Sequence, residues 1–320
     1  MKTLRKIIPI LVLFVLLSPA CAVINKSQLE AVKALAGGSD SVSVAPSVLL
    51  GSLADIRKTR GIFYATSMDS PELKASELEA VAKAAMADDK LAARADNCTK
   101  VLRSYARALQ SLSSDTRYKS AGTEIRSLGR SVDSLFAAWD LMTEAGWTGQ
   151  HDKANLTGYG KQSGNYAAML AEIIIRHSQR ASLKRLIISS DTLIANVCDA
   201  LVATIKSTEL TELIKHEKES LHSDYVAYIQ ASQRNGAGFS AYESDVRYVE
   251  LSTQLAEAEA LRTRVANSFK SLAKAHHSLA LSFDNPKKTT EALEPVWEEI
   301  LTFLEQTHNL ARYFAQKPGE

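Results

Sequence analysis

The sequence predicts an all-α protein, built as an elongated antiparallel helical bundle with long coiled-coil-like helices. No proline occurs from Glu72 to Asn285, and neither glycine nor proline occurs over 165–235 or 239–285. Proline costs about 3 kcal/mol inside a helix and glycine about 1 kcal/mol, so their absence permits very long helices. The alternating β-branched runs that predict strands are missing.

The first 21 residues have the features of a secretory signal. Basic residues at Lys2, Arg5 and Lys6 precede an apolar run over 7–17, and small residues follow it. This run is too short to anchor the chain in a bilayer, which takes roughly 20 apolar residues. We therefore expect residues 1–21 to be a signal peptide and the mature chain to be exported to the periplasm.

The end of this signal resembles the lipobox of bacterial lipoproteins, in which a cysteine receives lipid and becomes the first mature residue. Residues 18–21 read SPAC, with Ala20 as the small residue before Cys21. The customary leucine lies one place early, at Leu17, and Pro19 departs from the pattern. The resemblance implies a lipid anchor on Cys21 that holds the protein to a membrane facing the periplasm. Ordinary cleavage after Ala20 or Ala22 is the alternative, because both satisfy the small-x-small rule.

The two remaining cysteines, Cys98 and Cys198, are candidates for one disulfide in an exported chain. The alternative is a pair of buried, unpaired thiols on apolar helix faces.

Composition and charge exclude several classes of protein. Of 320 residues, 46% are hydrophobic and 23% are charged, which argues against a disordered tail or a polytopic membrane protein. Removing the three basic residues of the signal leaves 35 basic and 36 acidic residues, a formal net charge of −1. Nucleic-acid binding requires a basic domain or stripe, so we predict no nucleic-acid partner.

The first predicted mature helix is short. Ser27 and Glu30 have the spacing of a capping box, and Gly37 with Gly38 is expected to end the helix. Residues 37–47 (GGSDSVSVAPS) resemble a linker of small residues. The predicted organisation is therefore a short helix and Gly/Ser linker over 22–47, followed by a helical bundle over 48–320.

Two helices are predicted next. Ser70 followed by Pro71 fits an N-cap with proline at the first helical position, and the helix extends to Leu112. A second helix covers 121–144. Its apolar residues follow the alternating three and four spacing of a heptad seam: Ile125, Leu128, Val132, Leu135, Trp139 and Met142.

The C-terminal half predicts a hairpin of long helices. One helix begins near Ser190 and ends at the turn over 235–238, and a second covers 239–285. The second helix has a seam of ten positions: Leu251, Leu255, Ala258, Arg262, Val265, Phe269, Leu272, His276, Leu279 and Phe283. Arg262 and His276 are the polar members of this seam, and such residues set helix register or bind a ligand. A last helix is broken or kinked at Pro295 and carries an apolar face: Val296, Ile300, Phe303, Thr307, Leu310 and Phe314.

No motif for an enzyme reaction is present. The chain lacks Gly-x-Ser-x-Gly, His-Glu-x-x-His and Cys-x-x-Cys. Glu219 with His222, and Glu305 with His308, repeat the Glu-x-x-His spacing of di-iron bundles. Neither pair lies squarely on an apolar seam, so a metal site built from these four residues is an alternative to the prediction of no metal and no cofactor.

Three segments are candidate contact surfaces. The irregular stretch over 145–164 contains Trp147, His151 and Tyr159, and long loops with aromatic residues are commonly functional. Aromatic residues also gather around the hairpin turn: Tyr225, Tyr228, Phe239, Tyr242 and Tyr248. A basic stripe of Arg176, Arg180 and Lys184 suits an anionic headgroup or an acidic partner.

These observations predict an exported, lipid-anchored, non-catalytic protein that binds or scaffolds an envelope protein partner in bacteria. Trp147, His151, Tyr159, Phe239 and Tyr242 are the predicted partner-binding residues. Two alternatives stay open, namely a metal-binding bundle similar to di-iron proteins and a carrier of an apolar ligand.

Overall fold

The computed structural model describes residues 24, 26–114, 118–144, 179–234, 242–284 and 294–316. Over these ranges the secondary structure is helical, without strands, which confirms the all-α prediction. The described helices are α1 (Lys26–Val42), α2 (Ala45–Ser67), α3 (Pro71–Leu112), α4 (Tyr118–Glu144), α5 (Gln179–Ile205), α6 (Thr208–Arg234), α7 (Tyr242–Asp284) and α8 (Glu294–Gln316).

Helix α1 does not end at its glycines, so that expectation is corrected. The helix continues through Gly37 and Gly38 to Val42, and only two residues separate it from α2, where a linker over 37–47 was expected. Gly38 is buried because the Phe303 ring of α8 occupies the place where a Cβ would lie. Tertiary packing thus maintains a helix that local propensity would end. The hydroxyl of Ser27 accepts a hydrogen bond from Trp297 Nε1 at 2.9 Å.

Helices α2 and α3 form a hairpin whose turn is the predicted cap. Ser70 has extended backbone angles, its hydroxyl accepts a hydrogen bond from the Leu73 amide at 3.3 Å, and Pro71 opens α3. Helix α3 then extends to Leu112, as predicted. The two helices run in opposite directions, because Gly61 lies against Val81 and Arg57 pairs with Asp88 further along.

Helix α4 confirms the helix predicted over 121–144 and begins three residues earlier. The first four seam residues, Ile125, Leu128, Val132 and Leu135, are buried. The side chains of Trp139 and Met142 lie outside the described residues.

The helix predicted to begin near Ser190 is in fact two helices. Helix α5 begins no later than Gln179 and ends at Ile205, and α6 begins at Thr208. The break needs no glycine or proline because Ser207 caps α6: its hydroxyl accepts a hydrogen bond from the Leu210 amide at 3.2 Å. Within Ala181–Arg234, one 18-residue window is by length and composition alone apolar enough to cross a membrane, but α5 also has the buried face of a core helix.

Helix α7 confirms the helix predicted over 239–285 to within three residues at its start and one at its end. Nine of its ten seam residues are buried, and Arg262 is half-buried. Helices α6 and α7 run in opposite directions, since Thr211 contacts Arg262 and Tyr228 contacts Ser244. By contrast, α2 and α6 run in the same direction, because Arg60 pairs with Glu217 whereas Asp69 pairs with Arg234.

Helix α8 begins at Glu294, so Pro295 lies in its first turn, where proline is tolerated, rather than at a kink. Val296, Ile300, Phe303 and Thr307 are buried as expected, and the side chains of Leu310 and Phe314 lie outside the described residues. Helices α1, α7 and α8 pack together, and buried residues of all eight helices join one hydrophobic cluster.

Candidate functional site

The end of the α6–α7 pair contains a cluster of aromatic rings, which is where the sequence predicts a partner surface. Tyr225 and Tyr248 stack with ring centroids 4.3 Å apart and planes 15° apart. Phe63 of α2 meets Tyr225 edge-on at 5.3 Å and Tyr228 at 5.0 Å. Such pairs contribute about 0.5–1.5 kcal/mol each beyond their burial. These rings therefore hold α2, α6 and α7 together.

Polar contacts reinforce the same cluster. The Tyr225 hydroxyl donates to the Asp245 carboxylate, and the Tyr228 hydroxyl lies 2.9 Å from the Ser244 hydroxyl. Desolvation and the Asp245 hydrogen bond raise the pKa of Tyr225 above its ordinary range. The phenol therefore stays protonated and continues to donate at neutral pH.

Below the rings, a buried ion cluster joins α2 to α6. The Arg60 guanidinium donates to Glu217 at 2.5 and 3.3 Å and to Asp224 at 2.6 Å. The side chain of Glu217 is fully buried, so removal of Arg60 would leave an uncompensated charge, at a cost of about 3–5 kcal/mol. Burial alone would lower the pKa of Arg60, but its bonds to the two carboxylates raise it overall. The sequence contains no signal for this cluster, because its members are 157 and 164 residues apart.

Tyr242 stands apart from these rings, at the start of α7. Its exposed fraction is 74%, the highest among the large apolar side chains that are exposed in the described residues. The structure therefore separates the predicted aromatic group into rings that pack internally and one that faces solvent. Phe239, Trp147, His151 and Tyr159 lie outside the described residues.

The polar residues of the α7 seam find partners inside the protein. His276 is 1% exposed, and its Nε2 lies 2.6 Å from the Tyr105 hydroxyl of α3. Its Nδ1 lies 2.9 Å from Asp191 Oδ1 of α5, and His277 Nδ1 lies 2.7 Å from Asp191 Oδ2. Because an ionised carboxylate only accepts, Nδ1 of each histidine donates to Asp191, and His276 Nε2 shares its hydrogen bond with the Tyr105 hydroxyl.

The inner part of this network is buried. Tyr105 is 2% exposed, and only His277 and part of Asp191 reach the surface. Arg262, the other polar seam residue, donates to Thr211 of α6 and to Glu259. His276 and Arg262, the two polar residues of the seam, thus fix how α7 packs on its neighbours.

The alternative metal site does not assemble. Glu219 and His222 are exposed on α6, Glu305 and His308 are exposed on α8, and His222 is hydrogen-bonded to Tyr248 at 3.0 Å. None of the four belongs to a group of three or more potential metal ligands within the described part of the chain. The two Glu-x-x-His pairs are corrected to separate surface pairs, because each is exposed on its own helix and no third potential ligand joins either pair in the described residues.

A cavity of about 160 Å³ lies between α2 and α3. Charged side chains line it, including Arg57, Lys58, Arg60 and Asp88, and Asp88 Oδ2 is buried without a hydrogen-bond partner. Burial raises the pKa of Asp88. An apolar ligand would strip water from these groups without replacing their hydrogen bonds, so the cavity does not fit an apolar cargo.

The two cysteines are free and buried, Cys98 on α3 and Cys198 on α5. Burial raises the pKa of Cys98 to about 12 and also raises that of Cys198, to which Asp199 and Cys98 add smaller effects. The disulfide between them stays a prediction. Of the basic stripe, Lys184 is half-buried on α5, whereas Arg176 and the side chain of Arg180 lie outside the described residues, as does Cys21.

Comparison with known proteins adds no relationship. No protein-family model matches the chain, no curated protein matches it in sequence, and no solved structure matches its fold.

Proposed function

We propose that this protein is an exported, lipid-anchored helical bundle that acts as a non-catalytic binding or scaffold component of the bacterial cell envelope. The signal peptide predicted over 1–21, which ends at Cys21, supports export and anchoring. The observation that carries the binding role is the exposure of Tyr242, 74%, at the end of a braced pair of helices. Tyrosine is enriched in protein contact sites, which exposed apolar patches mark.

The rigidity of this end is part of the proposal. Phe63, Tyr225 and Tyr248 fill the space between the helices, and Arg60 joins α2 to α6. Binding of a partner at Tyr242 therefore costs little conformational entropy, because the backbone beneath this residue is already ordered.

We also propose the elongated shape as part of this role. Helix α7 has 43 residues and α3 has 42, which correspond to about 63–65 Å each. The α2–α3 and α6–α7 pairs run antiparallel, and the three and four spacing of the α7 seam favours the shallow crossing angles of coiled coils. Such a body, attached by lipid at Cys21, would present its surface away from the membrane.

The test is site-specific photo-crosslinking in cells. A photoreactive amino acid replaces Tyr242, or as a control Leu301 of α8, which is also exposed at 59%. We expect a discrete adduct only from position 242, in the membrane fraction, and loss of membrane association in Cys21→Ser. Equal adducts from both positions would contradict the binding role, and a protein that stays with membranes after Cys21→Ser would contradict the anchor.

A further inference from the structure

The outer face of α7 carries a second stripe with heptad spacing, opposite the buried seam. Tyr242, Val246, Val249, Thr253, Ala256 and Ala260 follow one another at intervals of four and three, and all six are exposed. The stripe is uncharged over about 27 Å of helix. The two apolar faces together explain why α7 is only weakly amphipathic although its inner seam is regular.

The residues that border this stripe are acidic. In a heptad whose core positions are these six residues, the flanking e and g positions are Glu243, Asp245, Glu250, Ser252, Glu257 and Glu259. None of them is basic. Over 242–262 there are five carboxylates and two guanidiniums, and Arg247 and Arg262 reach Glu250 and Glu259 from the sides that face the bundle.

This charge pattern selects among the possible occupants. A second copy would place acidic flanks against acidic flanks, which like-charge repulsion disfavours. An anionic membrane surface attracts helices with basic polar faces, not acidic ones. A helix with apolar core positions and Lys or Arg at its e and g positions satisfies both the stripe and the flanks.

We propose that the outer stripe of α7 docks an amphipathic partner helix with basic flanks, in a coiled-coil-like contact centred near Val249. This inference rests on the proposed binding role and adds the chemistry of the partner. The small side chains of Ala256 and Ala260 permit close approach, so larger apolar residues are expected opposite them.

The test uses two labelled helical peptides with identical leucine and alanine core positions, one with Lys and one with Glu at every e and g position. Fluorescence anisotropy with the purified full chain should show binding of the Lys peptide roughly tenfold or more tighter than that of the Glu peptide. The difference should shrink at high salt, because ions screen the contacts. Equal binding, or binding of neither peptide, overturns the proposal.

Two pairs of variants locate the contact. Val249→Glu should weaken Lys-peptide binding about tenfold, whereas Leu301→Glu, at a position of equal exposure on α8, should leave it unchanged. Glu243→Lys with Glu250→Lys should weaken the preference for the Lys peptide, because the net charge of the six flanking residues changes from −5 to −1. The control is Glu212→Lys with Glu219→Lys on α6, which changes the net charge by the same amount and should leave the preference between the peptides unchanged. Indistinguishable results within either pair overturn the assignment to this stripe.

Other occupants give distinct outcomes. Binding to phosphatidylglycerol vesicles, or a concentration-dependent dimer, that Val249→Glu abolishes would assign the stripe to a membrane or to a second copy and overturn the proposal. If the cellular adduct at position 242 persists while neither peptide binds, the partner chemistry is wrong and the binding role stands. If no adduct forms at position 242 and neither peptide binds, the binding role is contradicted as well.

Discussion

His276 is a polar residue at a seam position of α7, and its neighbours determine what it does there. Both of its ring nitrogens have partners, Tyr105 on one side and Asp191 on the other. A buried polar group that loses its partner costs about 1–3 kcal/mol, so a packing of α3, α5 and α7 that separates these residues is disfavoured. The network therefore specifies the relative positions of three helices.

Asp191 gives this network a measurable pH dependence. Burial alone would raise the pKa of Asp191, but hydrogen bonds from His276 and His277 and their charges lower it below its ordinary value of 3.8. Because the folded-state pKa is the lower one, the stabilisation is present above the ordinary value and is lost as the pH falls through the folded-state pKa. We expect Asp191→Asn to lower the free energy of unfolding by about 1–3 kcal/mol at neutral pH. This difference should narrow between about pH 5 and pH 3.

Urea unfolding at several pH values measures the difference. Asp199→Asn is the control, because Asp199 is an exposed carboxylate on the same helix. The free energy of unfolding of Asp199→Asn should differ little from that of the wild type at every pH. A gap for Asp191→Asn that stays constant or widens between about pH 5 and pH 3 would show that its carboxylate is not stabilised by the two histidines.

Within elements, the two adjacent glycines of α1 have opposite surroundings. Gly37 is exposed and nothing lies within 4 Å of the place where a Cβ would be, whereas Gly38 lies directly beneath the Phe303 ring. The ring is fully buried, so it has little room to move. Position 38 thus requires glycine for packing, and position 37 does not.

This contrast predicts opposite effects of one substitution. Gly37→Ala should raise the free energy of unfolding by about 0.5–1 kcal/mol, because alanine favours the helix and limits the unfolded chain. Gly38→Ala should lower it by about 1–3 kcal/mol, because the added methyl overpacks the contact with Phe303. Thermal unfolding followed by circular dichroism measures both. A stabilising Gly38→Ala would contradict the close packing of α1 on α8.

For the whole molecule, burial determines the chemistry of the thiols. Cys98 and Cys198 lie on two packed helices within the common hydrophobic cluster. Thiol reagents attack the thiolate, and burial raises the pKa of Cys98 to about 12. Their accessibility therefore reports on the integrity of the bundle.

We expect neither thiol to react with 5,5′-dithiobis(2-nitrobenzoate) near pH 8 in the folded Cys21→Ser variant, because thiolate is scarce and the sulfurs are shielded. The absorbance at the end of the reaction gives the number of thiols that have reacted. It is measured for the folded protein and again after unfolding, with no reductant added in either case. Reaction of both after unfolding indicates free thiols, and reaction of neither indicates the predicted disulfide. Rapid reaction in the folded state would contradict the packing of α3 on α5.

The sequence by itself determined the features that depend on neighbouring residues. The absence of breakers predicted the helical class, Ser70 and Pro71 marked the start of α3, and the three and four spacing located the buried face of α7. Each of these rests on helix geometry and backbone propensity, which act over a few residues. The same locality explains the error at Gly38, where a distant ring outweighed the propensity. The Ser207 cap is a local signal, and a search for glycine and proline alone misses it.

Only the tertiary structure decided which residues meet across the bundle. It joined Arg60 to Glu217 and His276 to Asp191, and it turned Tyr225 inward while Tyr242 stayed exposed. No local pattern contains these pairings, because they join residues 85 to 157 positions apart that approach only when several helices pack together. Burial and charge compensation are properties of that assembled packing, whereas helix formation is a property of each segment.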